Sequence, residues 1–411
     1  MSANRPVRVA LIGCGAIAPA HVEACASFPG QWEIVALCDI VPEKAEALKA
    51  RFGLEQAVVA DHAEKLLDLD FDLASVCTPP YTHAELAILF LRAGRHVIVE
   101  KPMAASLEEC DRMLAAAADS GKVLSVIAQN RFRTPLMKLK RMLASGLAGK
   151  LLHVQVDSHW WRGYSYYDLW WRGTWEKEGG GCTINHAVHH IDAMLWMAGM
   201  PVEVQAYLAN TAHDNAEVED LSVAIFRYAD GALGQLTSSV VHHGEEQQLV
   251  FQCSGARISA PWRPKAGIAK PNGFPEPNPE LERKLQEAYD AIPDLEHEGH
   301  AGQYADVLNA IRTSGKPLIG GEDGRRTLEF ITAVYKAGAT GPGGPAAACA
   351  GRSVLHPRRN SGPGGEVLRE ETLGRRFCAI RRHYDRQRLP ITGAAACRRT
   401  TVCRGSVPHE G

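Results

Sequence analysis

Proton-transfer chemistry needs groups such as an imidazole, an amine or a carboxylate brought close together, and residues 179–192, GGGCTINHAVHHID, contain two of these types within a few turns of each other. At about 100° per residue on a helical wheel, Asn185, His189 and Asp192 fall on one face, opposite Ala187, Val188, Ile191, Met194 and Leu195. Such a helix would bury its apolar side and present an amide, an imidazole and a carboxylate together. The three preceding glycines permit φ > 0 and let a ligand come near the main chain. The competing reading is a solvated polar face, which other parts of the chain must decide. His186 and His190 have zinc-compatible spacing, but neither an HExxH glutamate nor a cysteine pair accompanies them, so no metal is expected.

The elements that would position these residues begin with a short apolar strand at 7–12. It ends in Gly13-Cys14-Gly15-Ala16-Ile17-Ala18 and runs into a helix-compatible segment to about residue 28. This fits GxGxxG/A: the first glycine makes the turn, the second leaves room for a pyrophosphate, and a small third residue lets helix pack on strand. A second strand at 34–38 closes on Asp39, an acid placed to accept hydrogen bonds from ribose hydroxyls and to repel a 2′-phosphate. NAD is therefore expected over NADP, with contacts from Gly13, Gly15, Ala16, Ile17 and Asp39. Strands at 73–77, 96–99 and 123–128 alternate with helices at 83–93 and 107–120, which predicts a doubly wound parallel sheet. Two loops stand at strand C-terminal ends, where ligands bind in this architecture. Thr78, Pro79 and His83 in one, and Glu100 and Lys101 in the other, are therefore further candidate cofactor contacts.

The glycine turn, TPPYTH at 78–83, EKP at 100–102 and GGG…N…H…D at 179–192 occur in an order and spacing that resemble the Gfo/Idh/MocA oxidoreductase family over residues 5 to about 340. The resemblance implies a Rossmann domain at 1–128, a substrate-binding and oligomerisation α+β domain at 129–340, and a catalytic pair in Lys101 and His189. Asn185 stands where many members carry Asp, so an amide rather than a carboxylate would orient the imidazole. It also implies a homodimer or homotetramer assembled through the sheet of the second domain.

Beyond residue 145 strand-like segments at 151–160, 202–209, 221–228, 233–241, 248–253 and 257–260 follow one another without helices, predicting a large, mostly antiparallel sheet. A Pro/Gly-rich loop is expected at 267–279, then helices at 281–291, 300–314 and 325–339, the last packing back on the first domain. Five of the eight tryptophans lie between residues 160 and 175, interleaved with arginines and tyrosines. Flat aromatic faces beside bidentate polar groups suit a sugar or cyclitol, and Asn130, Arg131, Trp161, Arg162, Tyr167, Trp171 and Arg172 join Asn185 and His189 as candidate substrate contacts. A buried subunit interface is the rival explanation of the aromatic cluster.

At 45% hydrophobic and 22% charged residues the composition is that of a soluble protein, with no apolar run of membrane-spanning length. Eleven cysteines without CxxC pairs indicate free thiols and a cytoplasmic setting. Up to residue 340 there are 32 Lys plus Arg against 42 Asp plus Glu, which leaves no nucleic-acid footprint. Residues 341–411 hold 13 Arg, no Lys and four Cys amid Gly, Pro and Ala. That is the residue usage of a shifted, GC-rich reading frame, and the segment is expected to be disordered.

The resulting expectation is an NAD-dependent oxidoreductase acting on a secondary hydroxyl. His189 is favoured as base because its ordinary pKa lies near neutral pH, and Lys101 stabilises the developing alkoxide; the two roles could exchange. The alternatives are a glycosidase that uses NAD in a transient oxidation and a non-catalytic dinucleotide-binding regulator.

Overall fold

The computed structural model describes residues 5–340; the expectations for residues 341–411 lie outside them. The first sheet contains β1 (Val7–Ile12), β2 (Trp32–Cys38), β3 (Val58–Ala60), β4 (Leu73–Val76), β5 (His96–Val99) and β6 (Leu124–Val126) in the order β3-β2-β1-β4-β5-β6. Every neighbouring pair is parallel. Its apolar runs are buried on both faces, as all-parallel sheets require; every residue of β4 and β5 is buried. Helices α1 (Ala18–Ala26), α2 (Pro42–Phe52), α3 (His83–Arg92) and α4 (Leu107–Ser120) are its crossovers. Strand order reverses between β1 and β4, which opens a crevice at their C-terminal ends.

The second sheet runs β14-β13-β12-β11-β7-β10-β9-β8. Its strands are β7 (Leu151–His159), β8 (Glu203–Ala209), β9 (Leu221–Arg227), β10 (Leu233–Ser239), β11 (Gln247–Cys253), β12 (Ala256–Ala260), β13 (Lys265–Ala269) and β14 (Pro275–Pro277). It is antiparallel except where β7 meets β10. The segment expected as a loop at 267–279 is in fact a small hairpin of β13 and β14, whose prolines at either end of β14 are tolerated because it is an edge strand. Helices α5 (Thr134–Ala144), α6 (Trp175–Glu178), α7 (Cys182–Asn185), α8 (Val188–Ala198), α9 (Pro279–Asp290), α10 (Gly299–Thr313) and α11 (Gly321–Thr340) complete the described chain.

Two packing contacts join the sheets. Along α11, a Cβ on Gly324 would lie 2.7 Å from Val126 of β6, and one on Gly338 would lie 2.6 Å from Leu208 of β8. The helix thus rests on both sheets through positions where only glycine fits, packing back on the first one as expected. A single cluster of buried side chains accordingly extends from Ala10 and Val97 through Met194 to Phe226 and Tyr335.

Candidate active site

The expected continuous helix from the glycine turn is two pieces. Ala187 N bonds Cys182 O five residues back at 2.9 Å, and α8 begins only at Val188. Such π-type turns occur at functional sites and shift the faces of the helix that follows. Asn185 is therefore set apart from His189 and Asp192, which line one cleft. Asn185 donates from Nδ2 to the carbonyls of Gly180 and Gly181, at 2.9 and 3.1 Å. It pins the glycine turn and does not orient the imidazole. Its own carbonyl accepts from Lys101 Nζ at 3.4 Å, so its link to the catalytic candidates is through the main chain. Asp192 is buried and accepts from Arg131 Nε and Nη2 at 2.8 and 2.7 Å.

The glycine turn itself is held from a distance. Glu219, buried, accepts from Gly181 N at 2.9 Å, Thr183 N at 3.0 Å and the Tyr335 hydroxyl at 2.9 Å. A Cβ on Gly181 would meet the Glu219 carbonyl at 1.8 Å, and one on Gly180 the Tyr335 hydroxyl at 2.1 Å. Nothing in the local pattern near residue 180 pointed to Glu219 or Tyr335.

Lys101, at the C-terminal end of β5, and His189, in the first turn of α8, face a common cleft lined by Pro102, Met103, Ala128, Val188 and Thr327. Burial lowers the Lys101 pKa; Glu100 and Glu178 act against that and Arg172 with it. Burial drives His189 well below its ordinary value, with Lys101 and His190 adding to the effect. The imidazole is neutral at physiological pH and only weakly basic. The amine is the stronger proton acceptor, and it has been brought closer to the working range.

At the glycine turn after β1, Gly13 has φ +93°, and a Cβ there would lie 2.7 Å from the Cys77 carbonyl carbon. Around Gly15 a Cβ would meet nothing within 4 Å, and Gly15 and Ala16 are exposed. Half-buried Ile17 caps α1. One glycine is forced by the fold, while the other leaves an open cradle at a helix N-terminus, which suits a pyrophosphate. Asp39 accepts from Cys14 N at 2.8 Å and Val41 N at 2.9 Å, so it braces the cradle it was expected to border. His83 is fully buried, its ring nitrogens 2.9 Å from Pro102 O and 2.7 Å from Thr78 O. It ties the two cofactor loops together, and no surface of it remains for a cofactor. Thr78 and Pro79 are half-buried in the same loop, with Thr82 donating to Thr78 Oγ1 at 2.7 Å.

Among the candidate substrate contacts, Arg131 is 3% exposed and bound by both Asp192 and Asp323. Its guanidinium is committed to that buried network, which corrects the expectation of a substrate contact. Tyr167, 5% exposed and packed edge-on against Tyr166 and His213, is likewise part of the core. Asn130 is half-buried in the turn after β6. Trp161 is exposed and stacks on His243, and Arg162 pairs with Glu245 at 2.7 Å. Arg172 lies over the rings of Tyr166 and Trp171 at 4.2 and 4.3 Å and pairs with Glu178 at 2.9 Å. Burial pushes the Glu178 carboxyl up to about 7, against the pull of Arg172. Neither His186 Nδ1 nor Arg172 Nε has a hydrogen-bond partner among the described residues, and both Tyr166 and Trp160 lie beside His186. These are free polar positions within an aromatic setting. Among the described residues the imidazole and carboxylate groups that converge are His21, Glu100 and His300, not His186 and His190.

Comparison with known proteins follows this geometry. Residues 7–128 match the family model described as "Oxidoreductase family, NAD-binding Rossmann fold", and residues 136–259 match the "GFO/IDH/MocA C-terminal domain". The chain is 28% identical to levoglucosan dehydrogenase of Pseudarthrobacter phenanthrenivorans over 62% of this chain and 72% of that one. It is 26% identical to inositol 2-dehydrogenase of Rhizobium meliloti over 80% and 96%. The crystal structure of the WlbA dehydrogenase from Bordetella pertussis, in complex with NADH and UDP-GlcNAcA, superposes with a TM-score of 0.71 at 30% identity, covering 82% of this chain and 97% of that one. With the glycine cradle, the Lys101–His189 cleft and both domain models in agreement, this chain belongs to the Gfo/Idh/MocA family and is an NAD-dependent oxidoreductase.

Proposed function

We propose that the chain oxidises a secondary hydroxyl of a sugar, cyclitol or related polyol, with 1–128 as the dinucleotide-binding domain and 129–340 as the substrate domain. The observation that carries this reading is the convergence of Lys101 and His189 on one cleft at the C-terminal edge of the parallel sheet. NAD supplies the hydride acceptor. Lys101 takes the hydroxyl proton, and His189, neutral in its buried setting, hydrogen-bonds the same oxygen. Arg172, Trp171, Trp161, Arg162 and His186 offer the stacking faces and donors that a polyhydroxylated ring requires, and Asn130 is a further candidate contact two residues beyond Ala128 of the cleft. Incubation with NAD and a panel of cyclitols, aldoses, sugar acids and glycosides, followed by NADH absorbance, tests the reading. Release of free sugar from a glycoside without net NADH would identify the glycosidase instead, and dinucleotide binding without any turnover would identify a regulator.

Asp39 supports preference for NAD over NADP. Steady-state kinetics with both cofactors should show that preference in the wild type and its partial loss in Asp39→Ala. Because Asp39 also holds Cys14 N, NAD affinity should fall in the same variant. A wild type that prefers NADP would overturn this assignment.

A cytoplasmic homo-oligomer is the state we propose. The seven described cysteines are free and buried, and among the described residues no helix is long and apolar enough to cross a membrane. One face of the second sheet lines up Tyr207 with Val223, and Ile225 with Gln235; Tyr207 and Ile225 are 69% and 57% exposed. Glu203 and Arg227 on that face neutralise each other, which leaves the exposed apolar side chains beside them suited to a second copy of the same surface. Ile225→Glu should convert the oligomer to monomer in light scattering, and an unchanged mass would rule out this face.

A further inference from the structure

Glu100 was read from sequence as a cofactor contact, but its side chain is turned inward. It is 5% exposed. Its Oε1 lies 3.1 Å from His21 Nε2 on α1 and 3.5 Å from His300 Nε2 on α10, and its Oε2 accepts from the Lys101 main-chain N–H at 3.0 Å. Behind His21, the Ser75 and Tyr304 hydroxyls lie 3.0 and 2.9 Å from Nδ1 and 2.9 Å from each other. Burial lowers the His21 pKa, so the ring carries a single N–H. Hydroxyl donors satisfy Nδ1, which leaves that N–H for Glu100. Although burial opposes the charge, the nearby His21 and His300 rings hold the Glu100 carboxyl well below the usual range; His21 does so through a hydrogen bond, whereas His300 Nε2 approaches only to ion-pair distance and has no hydrogen-bond partner among the described residues. The groups that feel this carboxylate are Lys101 beside it, His189 on α8, His83 on α3 and Cys77 after β4.

We infer that Glu100, flanked by His21 and His300 and bonded to the Lys101 main chain, is a positioning residue that fixes the Lys101 backbone and supplies the catalytic pair with the negative charge that Asn185 cannot. This rests on the reading of Lys101 and His189 as the proton-handling pair. The geometry supports it in two ways: one carboxylate oxygen anchors the Lys101 backbone, and the other is clamped by the neighbouring rings of His21 and His300, from two helices, α1 and α10, that pack against each other. The charge stays in place through the reaction because neither clamp is part of the cleft.

The test is Glu100→Gln, with His300→Gln as a milder second variant at a position less deeply buried than Glu100. Removing a neighbouring carboxylate lowers the pKa of a cation by about one unit or more. The acid limb of the kcat–pH profile should move to lower pH by that amount in Glu100→Gln, and by less in His300→Gln. At its optimum, kcat should fall about tenfold or more, and NAD affinity, read by quenching of tryptophan fluorescence, should change less than about twofold. A second readout needs no turnover. Trace labelling of the cofactor-free protein with acetic anhydride across pH, read by mass spectrometry on the Lys101 peptide, should show its midpoint shifted the same way. Glu100→Asp, which keeps the charge, should restore the labelling midpoint. Limb and midpoint unmoved in both Gln variants would overturn the inference. So would a tenfold loss of NAD affinity with kcat intact, which would return Glu100 to the cofactor. If the wild type showed no NAD-linked turnover, the proposed function would fail, and the labelling result would still decide the role of Glu100.

Discussion

Lys101→Met and His189→Ala are each expected to lower kcat by about 10² to 10⁴, the usual worth of a positioned acid or base, while leaving NAD affinity close to wild type. Met keeps the length and apolar stem of Lys101 and removes the amine alone. Neither side chain reaches the open cradle around Gly15, so dinucleotide affinity separates a catalytic defect from a collapsed site. The pH profile tells the two residues apart. Burial lowers both pKa values, and a lowered pKa means that the neutral form persists to lower pH than in the free side chain. His189 is then already neutral at pH 7, and the acid limb of the oxidation belongs to Lys101, at a pH below the ordinary lysine value. His189→Ala should reduce the plateau and keep that limb. A mutant of either residue with near-normal kcat would remove it from the mechanism.

Arg131→Met is expected to act on stability instead. The change leaves Asp192 buried without its bidentate partner and Asp323 without its ion pair. Removing one member of a buried pair costs about 3–5 kcal/mol, enough to lower the melting temperature on the order of 10 °C. Double replacement with Asp192→Leu should recover part of the loss, because the stranded charge is then gone. If Arg131 bound substrate, KM would rise while the melting temperature stayed put; that result would reverse its placement in the core.

These expectations separate what neighbouring residues specify from what distant ones do. The strand at 96–99 and the helix at 107–120 have the observed bounds of β5 and α4, because apolar runs, a Ser106–Glu109 capping box and Gly121 are all local signals. The helix α2 had equally local marks in Pro42 and Gly53, a left-handed cap, yet it and β3 went unread beside the stronger motifs on either side. The site divides in the same way. Lys101, His189 and the glycine cradle sit in recognisable spacings. Asp323 for Arg131, Glu219 for the triple glycine, and His300 for Glu100 lie far away in sequence, and no period or motif links such partners. Polar residues with hidden partners were consequently assigned to ligands, as Arg131 and His83 were, because an ionisable group without a visible partner looks available. The π-type turn at Ala187 was invisible for a different reason: it changes the phase of a helix without changing its composition.

The Tyr335 hydroxyl is lodged under Gly180 and against Glu219, on the last described helix, more than 150 residues away from the turn it supports. The chain therefore cannot finish its catalytic turn until nearly all of the described length has been synthesised and α11 has docked. A ribosome-bound nascent chain ending near residue 325 would already hold Lys101, His189 and the dinucleotide cradle, but its triple glycine would lack a floor. Onset of turnover should lag behind onset of dinucleotide binding during refolding, with α11 as the latch whose closing starts the enzyme.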